Sequence, residues 1–212
     1  MGLNLKAESN DFEQLSSGES LGVCYRIVDL GTREEQYKDN PPKKRTLIHV
    51  TWETKDNLMS DGRPFAIGRS YTASLNENAT FYKDLVTWRG KPFSEEELKG
   101  FDVSKMLGAP ANLHIEHNDE GKARIKNIFK PDNFKKTETS NESFVFDLDV
   151  YCNEFNGNTS DETKAMCDIF EQLPEWQQNL IQDSYEYLAA SDSTKPVVED
   201  VVDPDFDDDI PF

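Results

Sequence analysis

The chain has 212 residues, 36% of them hydrophobic and 30% charged, and a net charge of −18. That length holds one domain of ordinary size with appendages, and no run of about 18 apolar residues offers a membrane span. The start lacks the basic and apolar stretches of a secretory signal, and three scattered cysteines (Cys24, Cys152, Cys167) without a CxxC pair read as reduced thiols of a cytoplasmic protein.

The charge is unevenly spread. Residues 1–19 carry net −3, residues 20–130 net +2 and residues 131–212 net −17. A mildly basic middle with a strongly acidic back end suits a binder of polyanions that keeps the acidic part out of its groove.

Residues 1–19 read as a polar arm. Residues 22–30 (GVCYRIVDL) are rich in β-branched and aromatic side chains and read as a strand. A loop over 32–43 contains the breaker Asn40-Pro41-Pro42. The second strand covers 45–54, with Ile48, Val50 and Trp52 on one face and Leu47, His49 and Thr51 on the other. Asp61-Gly62 marks a hairpin, and 65–72 form a third strand with Gly68 as a bend.

Ser74-Leu75-Asn76-Glu77 has the form of a capping box and opens a helix that Gly90 and Pro92 stop. Leu75, Ala79, Tyr82 and Val86 line its apolar face; Phe81, Leu85 and Trp88 widen it. A second box, Ser94-Glu95-Glu96-Glu97, opens a short helix with Phe93 and Leu98 placed as its staple, and a helical turn covers 103–107. Strands over 112–117 and 122–129 flank a turn at 118–121.

Three strands, a helix, then two strands is the order of a five-stranded OB-fold barrel with its helix between strands 3 and 4, so the expected class is mainly β. The expected domain covers 20–131. A linker with an extended segment at 143–151 fills 132–158. A helical hairpin follows over 159–190, capped by Thr159-Ser160-Asp161-Glu162 and with Pro174 in the first turn of its second helix. Residues 191–212 are dominated by acids, Ser and Pro and read as a disordered tail.

An OB sheet holds a single strand between cations and aromatic rings on which bases stack. The backbone-contact candidates are Arg26, Lys43, Lys44, Arg45, Arg63, Arg69, Arg89, Lys91, Lys122, Arg124 and Lys126; Arg124 and Lys126 flank Ile125 and leave the core on one side. The stacking candidates are Tyr25, Tyr71, Trp88 and Phe93, while Trp52 and Phe81 read as core; Phe93 serves equally as a helix staple. Asp207, Asp208 and Asp209 followed by Ile210, Pro211 and Phe212 form a second constellation. The acids steer toward basic partners, and Phe212 with its carboxylate can enter a pocket beside an Arg or Lys.

The end of the chain, DFDDDIPF, resembles the tail of bacterial single-stranded DNA-binding proteins. Residues 20–130 resemble a phage family of OB-fold single-stranded DNA-binding proteins, on the stretches RIVDLG, DGRPFAIGRSYTASL and TWRGKPFSEEELKGFDVSKMLG. The resemblance implies a protein that coats single-stranded DNA and recruits replication, recombination or repair proteins through residues 207–212. The helical hairpin has no counterpart in the bacterial family.

Two other readings stand beside it. One is an adaptor whose barrel ignores DNA. The other is a metal-dependent nuclease using Asp147 and Asp149. Enzyme signals are thin: His114 and His117 point to opposite faces of a strand, and no GxxxxGK[ST] or GxSxG motif occurs. No catalytic residue, metal or cofactor is expected.

Overall fold

The structure is a computed structural model that describes residues 13–36, 41–133 and 135–192. Its frame is a six-stranded sheet. β1 (Gly18–Glu35), β2 (Lys43–Leu58), β3 (Pro64–Thr72), β4 (Pro110–His117) and β5 (Ala123–Phe129) lie in the order β3-β2-β1-β4-β5, all neighbours antiparallel. β4 pairs with β1 from Gly18 to Val23; β6 (Phe144–Phe146) then takes over the same edge, parallel, at Arg26 to Val28.

β1 is long because it serves two cores. Bulges between Cys24 and Arg26 and between Asp29 and Gly31 bend it. Cys24 and Ile27 join a first core around Trp52, Leu85, Leu113, Ile115 and Ile128. Val28 and Leu30 join a second, with Phe146, Leu148, Tyr151, Phe170, Leu173 and Ile181. β2 shows the consequence: Ile48 through Thr54 are all buried, because both of its faces are covered.

α1 (Thr80–Arg89) lies between β3 and β4 in sequence and buries Phe81, Leu85 and Trp88 in the first core. The sheet curls but does not close into the expected five-stranded barrel. Among the described residues no strand ladder joins β3 to β5. Arg69 reaches across instead, donating to the Lys126 carbonyl (3.1 Å) and to Asp84 of α1 (3.0 Å), where the Tyr71 hydroxyl also donates (2.9 Å). A side-chain bridge to the helix thus stands where ladder hydrogen bonds would close the ring.

The second core is roofed by α3 (Leu148–Cys152), α4 (Asp161–Gln172), α5 (Glu175–Gln182) and α6 (Tyr185–Ser191); α2 is the short helix Glu95–Leu98. The expected two-helix hairpin is therefore the larger part of a four-helix layer, and the expected extended segment divides into β6 and α3. Asp147, Ser160 and Ser184 cap α3, α4 and α6 by accepting from the backbone of Val150, Thr163 and Tyr187. Glu53 ties the segment before β6 to the sheet: its buried carboxylate accepts from the Ser140 and Asn141 amides (2.7 and 2.9 Å) and pairs with Lys55 (2.7 Å). Burial alone would raise its pKa, but these donors outweigh it and hold the carboxyl below its usual range.

Several local expectations change. The box at Ser74 does not form: Ser74 and Asn76 accept from Asn76 and Asn78 in successive turns, and α1 starts at Thr80 behind an uncapped Ala79. The box at Ser94 does form, while Phe93 enters the core and Leu98 stays exposed. The polar arm gives way to structure before residue 19. Leu15 is buried, its carbonyl 2.8 Å from His117 Nε2, and β1 starts at Gly18. The loop expected over 32–43 is partly strand, since β1 runs on to Glu35 with Glu34 and Glu35 opposite Lys44 and Lys43. No helix among the described residues is long and apolar enough to cross a membrane.

Candidate nucleic-acid interface

The four rings expected to stack on bases are enclosed. Tyr71 and Trp88 belong to the first core, Trp88 donating its indole N–H to the Pro110 carbonyl (2.7 Å) and lying 5.6 Å from Trp52. Tyr71 packs on Phe81, and its hydroxyl is spent on Asp84. Phe93 sits among Tyr82, Phe101 and the Arg89 guanidinium. Tyr25, at the first bulge of β1, is also buried. Strand parity accounts for Tyr71: it lies two pairs from Ile67 on the face that meets α1. None of the four presents a ring to solvent.

Several expected cations hold the structure together. Arg69 is the bridge across the β3–β5 gap. Arg89 pairs with Glu97 and covers the Phe93 ring, fixing α2 against α1. Arg63 pairs with Asp61 in the β2–β3 turn. Arg26 is half-buried beside Tyr25 (5.7 Å to the ring centroid), and its Nε lacks a partner among the described residues. Lys43, Lys44 and Arg45 start β2 opposite Glu35, Glu34 and Arg33, and Lys44 lies over the Tyr185 ring.

The remaining cations converge. Residues 121–131 contain Lys122, Arg124, Lys126 and Lys130 and no acid. All four are exposed. Lys122 pairs with Glu120 and Lys126 with Glu116 of β4; among the described residues Arg124 and Lys130 have no ion pair. The Lys130 stem crosses Gly90, where an added Cβ would lie 2.6 Å from its Cδ. This brings Lys130 to the C-terminus of α1, an end that favours cations and is followed by exposed Lys91. Phe129 stands next to Lys130 with 43% of its surface exposed.

A register shift places Phe129 outward. Leu113 pairs with Ile128, His114 with Asn127 and Ile115 with Ile125, so Lys126 is the extra residue. Strict alternation from Ile125 would send Asn127 and Phe129 inward; the bulge at Lys126 turns them out and Ile128 in. The outer face therefore carries Arg124, Asn127 and Phe129 on β5, opposite Glu116, His114 and Asn112 on β4.

The outer face of β1 and β2 is closed by the helical layer. His49 lies over Gly68, 2.9 Å from the Ser70 hydroxyl, with Trp176 of α5 edge-on at 5.0 Å. Burial and then nearby Arg26 push its pKa down to about 4, so it is neutral at pH 7. Asp147 caps α3, and burial, then Asp147 and Glu186, push the Asp149 carboxyl up. Among the described residues no group of three or more His, Cys, Asp or Glu could hold a metal ion. The cysteines are free thiols, each pushed up by burial, Cys152 to about 12 and Cys167 to about 11. Asp207, Asp208, Asp209, Ile210, Pro211 and Phe212 lie outside the described residues.

No protein-family model matches this chain, and no curated protein matches its sequence.

Proposed function

We propose that this protein coats single-stranded DNA through an OB-type barrel. We further propose that residues 207–212 dock replication, recombination or repair proteins. The observation that carries the reading is the strand order β3-β2-β1-β4-β5 with α1 between β3 and β4. Joining the facing β3 and β5 edges would give the cyclic order of an OB barrel. The cation row of β5 supplies the sequence-independent attraction that such a coat needs. The chemistry is non-catalytic, and no cofactor enters it.

The test is fluorescence anisotropy of a labelled single strand and its duplex at two salt concentrations. The expected outcome is preference for the single strand, with affinity falling as salt rises. Equal binding to both, or binding to neither, overturns the reading. A second reading, a protein-recruiting adaptor, draws on Trp176, Tyr185 and Leu188, which α5 and α6 leave 45%, 41% and 52% exposed. It becomes the better account if neither DNA binds.

A further inference from the structure

The outer face of β4 and β5 is not covered by α3–α6, which sit over β1 and β6. It combines three properties on one surface. The first is an exposed aromatic ring, Phe129, whose sequence neighbours Ile128 and Pro131 are buried. The second is a mainly basic row: Lys122, Arg124, Lys126 and Lys130 lie on and beside β5, with Glu116 of β4 opposite Arg124 and paired to Lys126. The third is a polar strip opposite the ring, with Asn112 paired to Phe129 and His114 to Asn127.

An exposed ring outside both cores has no packing reason to be aromatic, and the cations beside it would repel a basic partner. A polyanion with flat apolar units meets both features at once. The distance suits such a ligand: Arg124 and Phe129 lie opposite Glu116 and Asn112, so they span roughly 13 Å of sheet at about 3.3 Å per residue, room for a short run of linked nucleotides.

We infer that this face is the track for the single strand. Phe129 is its base-stacking platform, and Arg124, Lys126 and Lys130 take successive phosphates. The assignment rests on the function proposed above and replaces the buried rings Tyr25, Tyr71, Trp88 and Phe93. Lys126 exchanges its pairing with Glu116 for phosphate when the strand arrives. No covalent step is involved.

The experiment uses the full chain and a fluorescein-labelled oligo-dT titrated at two salt concentrations, with thermal unfolding of each variant as a control. Phe129→Ala is expected to weaken binding by about 5- to 150-fold, the range for one lost base stack. Phe129→Trp restores it, and Leu58→Ala, an exposed apolar residue elsewhere, leaves it unchanged. Arg124→Ala lowers the slope of log affinity against log salt by about 0.7, as expected for one phosphate contact on a single strand. Wild-type binding that Phe129→Ala leaves intact overturns this assignment while the coating function stands. Failure of the wild type to bind any single strand removes both.

Discussion

The outer surface of one sheet has two fates in this molecule. Over β1 and β2 it is roofed by α3–α6, and its side chains (Val28, His49, Thr51) are buried. Over β4 and β5 it is bare, and its side chains (Arg124, Asn127, Phe129) are exposed. The two regions share an inner face, where Trp52 and Ile115 join one core. Whether an outward residue packs or binds is therefore decided by distant chain, here residues 144–191, and not by the strand itself.

The largest expected effect breaks the covered half. Gly31 has φ +73°, and a Cβ there would lie 2.4 Å from Ser184 Cβ and 2.7 Å from Leu148 Cδ2. Gly31→Ala thus meets backbone strain and a collision with α6 and α3 together. The expected loss is on the order of 3 kcal/mol or more, read as a lower urea midpoint. Amide exchange should rise over α3–α6 before it rises over β4 and β5. Uniform loss of protection would show that the two halves are one cooperative unit.

A smaller effect tunes the same joint with pH. Asp29 faces Gly31 on β1 and feels Glu186 of α6 with Asp149 and Asp147 of α3 and its cap. Burial first, then these carboxylates, push it up to about 6 against the Gly31 amide that lowers it. The folded state therefore binds this proton more tightly than the unfolded chain does. The stability it contributes is fully present below pH 3.8 and is lost as pH rises through about 6. Asp29→Asn keeps an acceptor for Gly31 and removes the charge. It should be more stable than the wild type at pH 7.5, by roughly 1–3 kcal/mol, and the gap should narrow at pH 5. A gap independent of pH would mean that Asp29 does not titrate in this window.

The smallest effect defines the bare half. Phe129 and Arg124 are exposed and belong to neither core, so Phe129→Ala and Arg124→Ala should each shift stability by less than about 0.5 kcal/mol. A large drop in the urea midpoint of either variant would assign these residues to packing and close the contrast between the two surfaces.

Much of the β framework was legible in the sequence. The strands announce themselves by alternation, and Ser94 to Glu97 by a box that forms. The tertiary parts were not. Gly31 reads as the end of a strand, yet it follows the bulge at Leu30 and, having no side chain, lets α6 approach. Tyr71 and Trp88 read as surface rings because one sequence does not say which side of β3 or α1 meets the core. Phe129 was hidden for the opposite reason: the bulge at Lys126 inverts its parity, and regular alternation from Ile125 buries it. The signal was present, since Ile125 and Ile128 are three apart and a two-residue repeat cannot bury both. The gap between β3 and β5 is a matter of side chains: Arg69 and Asp84, fifteen residues apart, meet only after β3 and α1 have folded.

Ultraviolet crosslinking of the full chain to oligo-dT, followed by mapping of the modified peptide, locates the single strand on the sheet. The adduct is expected on Phe129, with the helical layer unmodified. An adduct confined to Trp176 or Tyr185 would contradict it and move the single strand to the helix-covered half.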